Sequence, residues 1–307
     1  MNINNILVIV DPTAATHPAV DKAALLAAKL HARLELYVCD TRATRESRLS
    51  AANAVVDVRA LLQTMAGPLR ERGIDVTTEA EFGDPLVEKL VQRTRDTSAD
   101  LVVKDTHHHS LARRTFLTNT DWELIRACPV PLLLTRSAQW AKTPKIVAAV
   151  DPGHTNDKPA LLDQRILEQG RYLAQHLGGE LHVLHAYIPV SVIAAAVSRE
   201  PPTALSVSPQ DLKQEQEEKV REVAQLAGRF GVEAGRIHVQ LGGPAQVLPQ
   251  AARELHADVM VMGALSRRGL KRAFIGSTAE DVLEQLGCDA LVVKPVDFSA
   301  ALQGLCP

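Results

Sequence analysis

The segment from Met262 to Leu283 reads MGALSRRGLKRAFIGSTAEDVL and combines glycines, basic side chains and a Gly-Ser-Thr sequence. The apolar run that leads into it, Asp258 to Met262, predicts a buried strand, and the segment ends in an amphipathic helical pattern. Glycine lets the backbone approach a ligand, and a helix N-terminus offers unpaired N–H groups and a positive dipole end. This order of parts indicates a phosphate site, although small hydroxyl residues also serve simply as helix caps.

The elements that would position this segment belong to a repeated pattern, because four short motifs occur twice along the chain in the same order. The motifs are ILVIVDP and IVAAVDP (6–12 and 146–152), EFGDP and QLGGP (81–85 and 240–244), ADLVVKD and ADVMVMG (99–105 and 257–263), and TNTDWE and GSTAED (118–123 and 276–281). Such a series predicts a tandem duplication. We expect a first domain over residues 1–140 and a second over 141–307, with an insertion near Ile188 to Lys219.

Each half alternates short apolar strands with helical stretches, which predicts parallel sheets covered on both faces. The expected fold class is α/β, with two tandem doubly wound five-stranded parallel sheets, each flanked by helices on both faces. The predicted strands are 6–10, 34–39, 75–80, 101–104 and 131–135 in the first half, and 146–150, 180–186, 237–240, 258–262 and 290–294 in the second. Ligands bind such sheets where the strand order reverses. If the first and fourth strands are neighbours there, Asp151 and Gly263 lie at the same edge.

Composition narrows the class of protein. Apolar residues make up 46% of the 307 residues and aromatic residues only 3%, so the core must be built from Ala, Leu and Val. A net charge of −2 argues against a nucleic-acid-binding protein. The four cysteines are scattered, which suits a reducing cytosol. The sequence MNINNILVIVD leads straight into a strand, and no apolar run reaches the roughly 20 residues of a membrane span. We expect a cytoplasmic protein that contacts neither membrane nor nucleic acid.

The glycine pattern resembles a known family. The pattern G-x2-G-x9-G-[ST], placed after the fourth strand of an α/β domain that begins with a strand and Asp, is similar to the nucleotide loop of universal stress proteins. Here it reads Gly263, Ala264-Leu265, Ser266, nine residues from Arg267 to Ile275, and then Gly276-Ser277. The closing LEQLGCDALVVKP (283–295) also resembles the family's last helix and strand. The resemblance covers both halves and implies a tandem universal stress protein with a role in the stress response.

The resemblance implies ATP, with or without Mg²⁺, as a ligand of the second half only. Carried over residue by residue, Asp151 would lie beside adenine and ribose, Ala149 would line the same pocket, and Ala186 would hold adenine through its backbone. The implied nucleotide-binding residues are Ala149, Asp151, Ala186, Met262, Gly263, Ser266, Arg268, Gly276, Ser277 and Thr278. Ser266 replaces the family's second glycine, and ATP affinity falls if that position needs a positive φ. A branched side chain at Gly276 is expected to block the approach to phosphate and to strain the turn.

The first half departs further from the pattern. Asp105 stands where Gly263 stands, Asn119-Thr120 replace Ser277-Thr278, and no glycine remains in the loop. A carboxylate at the position of close approach repels phosphate, so we expect that this half has lost nucleotide binding. Asp11 is then a structural turn or cap residue. Adjacent His107, His108 and His109 point in alternate directions on an extended segment, which favours a solvated loop over a metal site.

Three functions fit these observations. The first is a regulatory or signalling protein that binds an adenine nucleotide in its second half. The second is a slow ATPase or phosphotransferase, although no Walker loop, GxSxG elbow or HEXXH motif occurs. The third is a carrier or scaffold whose segment from Ile188 to Ser208 lines an apolar pocket, unless that segment is a helix packed on the other half. The resemblance also implies that the two halves pack together through their edge strands, and it leaves a homodimer open.

Overall fold

The architecture comes from a computed structural model of the 307-residue protein. It describes residues 2–40, 48–83, 86–106, 117–136, 139–153, 161–190, 192, 208–266 and 274–295. At residues 40, 48–56, 265, 266 and 274 the description is limited to the backbone. Arg268, the three consecutive histidines and half of the predicted insertion lie outside the described residues.

The first half follows the predicted alternation of strands and helices. Its elements are β1 (Asn5–Ile9), α1 (Pro18–Leu30), β2 (Arg33–Asp40), α2 (Arg48–Glu71), β3 (Val76–Phe82), α3 (Leu86–Asp96), β4 (Leu101–Asp105), α4 (Asn119–Ala127) and β5 (Leu132–Thr135). Local sequence explains the helix ends. Helix α1 begins at Pro18, whose fixed φ suits the first helical position, and it ends at His31 in the left-handed conformation.

The second half repeats the order and adds a short hairpin. Its elements are β6 (Lys145–Ala149), α5 (Leu162–Leu177), β7 (Glu180–Tyr187), α6 (Pro209–Gly228), β8 (Ile237–Leu241), α7 (Pro244–Glu254), β9 (Val259–Gly263), β10 (Leu265–Ser266), β11 (Phe274–Ile275), α8 (Ser277–Gln285) and β12 (Asp289–Val293). Strands β1 and β6 are almost wholly apolar, as expected of strands that are covered on both faces.

Ten of the strands form one continuous sheet, in the order β3-β2-β1-β4-β5-β12-β9-β6-β7-β8. Within each half the five strands are parallel and the order reverses between the first and fourth, which confirms the predicted α/β fold class. The halves meet where β5 pairs antiparallel with β12, with Leu133 opposite Leu291. Because the two joined strands run in opposite directions, the halves are related by an approximate twofold rotation.

Two apolar clusters cover the two faces of the sheet. One contains buried residues of α1, α2, α5 and α6, and the other contains buried residues of α3, α4, α7 and α8. Alternate strand residues belong to alternate clusters, as the twofold periodicity of a strand requires. In β7, Val183 belongs to the first cluster, and Leu184 and Ala186 belong to the second.

A buried ion pair joins the two halves beside the β5–β12 junction. The carboxylate of Asp289 lies 2.7–2.8 Å from Nζ of Lys22 on α1. It also accepts hydrogen bonds from the backbone N–H of Arg136 at 2.8 Å and from the indole N–H of Trp140 at 2.8 Å. Burial raises the pKa of Asp289, and the lysine and these donors offset that shift because they bond the ionised carboxylate. The arrangement ties the first helix of one half to the last strand of the other.

A second buried lysine makes a contact between the halves on the opposite face. Lys294 follows β12, and its ammonium donates to the carbonyl oxygen of Ile125 in the last turn of α4. A cation at this place complements the negative end of the helix dipole. Burial lowers the pKa of Lys294 to about 8, and the neighbouring thiol of Cys128 opposes that shift.

Candidate functional site

The switch point of the second half brings together strands that are distant in sequence. Strand β6 lies between β7 and β9, with Ala148 paired to both Val183 and Val261. The carboxyl ends of these three parallel strands therefore share one edge of the sheet. Asp151 follows β6 and Gly263 ends β9, so the expectation that the two residues lie at the same edge is confirmed.

The glycine-rich segment leaves and re-enters this edge through the β10–β11 hairpin. Leu265 pairs with Ile275 and Ser266 with Phe274, and the N–H of Gly276 donates to the carbonyl of Ala264 at 3.1 Å. The two ends of the loop are thus adjacent, although residues 267–273 between them lie outside the described residues. The backbone of Ser266 is extended, a conformation that accepts a Cβ without strain.

Helix α8 begins where this hairpin ends, and no side chain among the described residues caps its N-terminus. Gly276 is the N-cap residue and makes no side-chain hydrogen bond to the first turn. Ser277 and Thr278 occupy the first two helical positions and are exposed. A helix leaves its first N–H groups without intrahelical partners, so this terminus presents donors and a positive dipole end at the sheet edge.

Gly276 is not crowded by the described part of the chain. An added Cβ would meet none of its heavy atoms within 4 Å, and the φ of −71° is accessible to any residue. The expectation that a branched side chain would strain the turn is therefore wrong. A requirement for glycine at this position therefore does not come from the backbone conformation or from the described neighbours.

At Gly263 the structure gives a packing reason for glycine. A Cβ there would lie 2.6 Å from Cδ2 of Leu162, the first residue of α5. The glycine therefore accommodates a buried leucine of the next helix, a neighbour that the loop pattern did not reveal. Its role in ligand approach stays a prediction.

The other predicted residues surround the same edge. Ala149 ends β6, Ala186 lies near the end of β7, and Met262 precedes the last residue of β9. All three contribute to the cluster that contains α7 and α8. The side chain of Asp151 is about half exposed, with Oδ1 3.8 Å from Nδ1 of His185.

The equivalent edge of the first half carries carboxylates of its own. Asp105, at the position of Gly263, is buried and accepts the N–H of Ala19 in the first turn of α1 at 2.7 Å. It also accepts the hydroxyl of Thr135 at 2.7 Å. Asp11, at the position of Asp151, accepts the N–H and hydroxyl of Thr13 and so forms a local turn. The first half uses these residues structurally.

Helix α4, the first-half equivalent of α8, has a closed N-terminus. Thr118 accepts the N–H of Asp121 at 3.2 Å, while the Asp121 carboxylate accepts the N–H of Thr118 at 2.7 Å, which forms a capping box. Oδ1 of Asp121 also lies 2.7 Å from Nζ of Lys104. Asp121 corresponds to Ala279 in the second half. An internal anion thus occupies the helix terminus that α8 leaves open.

Sequence reasoning missed two polar residues at the end of β7. His185 and Tyr187 are buried, yet Nε2 of the histidine and the hydroxyl of the tyrosine have no hydrogen-bond partner among the described residues. The predicted site included only Ala186, which lies between them. The detectable signal was two polar aromatic residues at alternate positions of an otherwise apolar strand, where the first half has Val38 in place of the histidine.

The described part of the chain contains no group of three or more His, Cys, Asp or Glu residues that could hold a metal ion. Within the same residues, no helix is both long and apolar enough to span a bilayer.

Comparison with known proteins gives the family context. The sequence profile of the universal stress protein family matches residues 2–136 and 142–294. The chain is 27% identical over 309 residues to universal stress protein E of Salmonella typhi, covering 97% of this chain and 96% of that protein.

Two crystal structures are similar over nearly the full length. A functionally unknown protein from Pseudomonas aeruginosa PAO1 is 27% identical, with a TM-score of 0.76 and coverage of 99% of this chain and 96% of that one. A universal stress protein from Archaeoglobus fulgidus is 16% identical, with a TM-score of 0.67 and coverage of 96% and 97%, and shares the fold.

Proposed function

The chain belongs to the universal stress protein family, and from this premise we propose that its second half binds an adenine nucleotide such as ATP. The bound nucleotide serves a regulatory role in the stress response. The proposed contacts come from Ala149, Asp151 and Ala186 on the nucleoside side, and from Met262, Gly263, Ser266, Arg268, Gly276, Ser277 and Thr278 on the ribose and phosphate side.

The observation that carries this proposal is the contrast between the N-termini of α4 and α8. In the first half, Asp121 and Thr118 satisfy the terminus of α4 with groups of the chain itself. In the second half, the terminus of α8 has a glycine N-cap without a side-chain hydrogen bond. Since both helices follow equivalent strands, the open terminus is the one suited to an external anion.

The same contrast supports a single site per chain. A phosphate at the first-half edge would meet the buried carboxylate of Asp105 and that of Asp121, and like charges repel strongly where solvent is excluded. We therefore assign the degenerate loop to residues 1–140 and the functional loop to residues 141–307.

Binding without rapid turnover is the proposed mode of action. Glu280 is the acidic residue in the first turn of α8, and its carboxylate lies 3.7 Å from the guanidinium of Arg126 on α4. This ion pair supports a structural role for Glu280 over that of a general base. Among the described residues, Cys128 and Cys288 are free thiols, which supports a reducing, cytoplasmic location.

The proposal is tested by titration of the full chain with ATP and Mg²⁺ in a calorimeter. Replacing Asp151 by alanine should weaken binding at least tenfold, because the carboxylate lies at the functional edge beside His185. Asp11→Ala is the matched control, since Asp11 occupies the equivalent position in the first half. Equal losses in the two variants, or no loss in Asp151→Ala, would contradict the assignment.

A further inference from the structure

The first turn of α5 contacts two residues of the proposed nucleotide site. Oδ1 of Asp163 accepts a hydrogen bond from the backbone N–H of Asp151 at 3.0 Å. The neighbouring Leu162 is buried and packs against Gly263, where an added Cβ would lie 2.6 Å from the leucine Cδ2. A single helical turn therefore contacts the chain both just beyond β6 and at the end of β9, at the same edge of the sheet.

This turn is present in the second half and has no helical counterpart in the first. Helix α5 has 16 residues and α1 has 13, and each ends just before a residue in the left-handed conformation, His31 in α1 and Gly178 in α5. The following strands, β2 and β7, begin at equivalent distances from these two residues. Matched at their ends, α5 extends about one turn further toward the site than α1. Thr16, the counterpart of Asp163, precedes α1.

The residue at the position of Gly263 explains this difference between the halves. In the first half that position is Asp105, which is buried and accepts the N–H of Ala19 in the first turn of α1 at 2.7 Å. In the second half a side chain there would collide with Leu162. A side chain at this position and a leucine in the additional turn exclude each other. Glycine at 263 therefore admits the turn that carries Asp163.

The carboxylate of Asp151 is the group that the additional turn controls. It is partly exposed at the site edge, with Oδ1 3.8 Å from Nδ1 of His185. An aspartate side chain is short, and its preferred rotamers depend on its own backbone, so the backbone position largely decides where the carboxylate lies. Groups that bind a ligand act well only when neighbouring bonds hold them in place. The hydrogen bond from Asp151 to Asp163 is such a bond.

We propose that Asp163 is a positioning residue of the nucleotide site, which holds the backbone of Asp151 so that the Asp151 carboxylate is directed at the ligand. Asp163 itself does not contact the ligand. The proposal rests on nucleotide binding by the second half. It also gives Gly263 a role in binding besides close approach to the ligand, because the glycine admits the turn on which Asp163 lies.

The test is a double-mutant cycle of ATP affinity, measured by calorimetry on the full chain. Asp163→Ala should weaken ATP binding about fivefold, the effect of one lost hydrogen bond. Asp163→Asn keeps an acceptor oxygen and should stay within about twofold of the wild type. In an Asp151→Ala background, Asp163→Ala should cause no further loss, because the residue that it positions has been removed.

A matched control separates positioning from the general effect of an acidic residue near a helix N-terminus. Asp21 is the exposed acidic residue in the first turn of α1, the equivalent helix of the first half. Asp21→Ala should leave ATP affinity unchanged. Urea denaturation of each variant measures any loss of stability independently of binding.

The outcomes distinguish failure of this inference from failure of the proposed function. If Asp163→Ala binds ATP as tightly as the wild type, or if Asp163→Ala and Asp163→Asn lose affinity equally, the positioning role is refuted while nucleotide binding stands. The same holds if Asp163→Ala has its full effect in the absence of the Asp151 carboxylate. If the wild type binds no ATP, the proposed function and this inference both fail.

Discussion

Replacing Asp289 by alanine is expected to lower the free energy of unfolding by about 3–5 kcal/mol, because it leaves the buried ammonium of Lys22 without its counterion. The pair is almost fully enclosed, with side-chain exposures of 6% for the lysine and 2% for the aspartate. The measurement is urea denaturation followed by circular dichroism. A loss below about 1 kcal/mol, the range of exposed pairs, would contradict this account of the junction.

Two variants control for the loss of charge alone. Asp75→Ala breaks the Arg33–Asp75 contact, whose side chains are 78% and 66% exposed, and should change stability by less than about 1 kcal/mol. The double variant Lys22→Met with Asp289→Leu removes both charges and should recover part of the loss, because no buried charge is then left unpaired. The N–H groups of Arg136 and Trp140 still lose their acceptor, so recovery is incomplete.

Replacing Gly276 by valine is expected to weaken ATP binding by about 2–4 kcal/mol, since a branched side chain would separate the backbone N–H groups of α8 from phosphate. The fold should lose about 1 kcal/mol or less, the cost of a poor N-cap residue, because an added Cβ meets no atom of the described residues within 4 Å. Calorimetry and urea denaturation on the same preparation separate the two effects.

Matched variants identify the source of the affinity. Gly287→Val adds a Cβ that also meets no described atom within 4 Å, at the other end of α8, and should leave ATP binding unchanged. Arg268→Ala removes one charge from the loop and should cost about 1 kcal/mol or less. If Gly276→Val binds normally while Arg268→Ala does not bind, the site is a basic patch and the backbone account is wrong.

Ser266→Gly restores the family pattern, and tighter binding by that variant would show that the serine weakens the loop.

Much of the fold could be predicted because its signals are local. Apolar runs such as Ile146 to Val150, followed by helical periodicity, indicate strands and helices directly, and the repeated motifs indicate two equivalent halves. The adjacency of Asp151 and Gly263 followed from the topology of doubly wound sheets. These inferences need no knowledge of which side chains meet.

The details that could not be predicted depend on contacts between distant residues. Lys22 and Asp289 are charged residues far apart in sequence, and neither has a local pattern that marks it as buried. At Gly276 the sequence predicted a strained turn, but the backbone there is accessible to any residue. At Gly263 the sequence spacing did not reveal that Leu162 packs against the glycine. His185 was overlooked because its unpaired nitrogen becomes apparent only when its neighbours are known.

The contacts at the first-half edge of the sheet were likewise only partly predictable from the sequence. The sequence indicated the loss of glycines and the carboxylate of Asp105, and from these the loss of nucleotide binding was predicted. It did not reveal that Asp105 and Asp121 bond the first turns of α1 and α4. Those bonds place carboxylates at both helix termini, where they would repel an anion.

The stoichiometry of ATP binding tests the central claim most directly. Titration of the full-length chain with ATP and Mg²⁺, at protein concentrations well above the dissociation constant, measures the number of sites. One site per chain is the predicted result, because the N-terminus of α8 is open and the equivalent terminus of α4 is closed by its own capping box. Two equivalent sites, or no binding at all, would contradict the account.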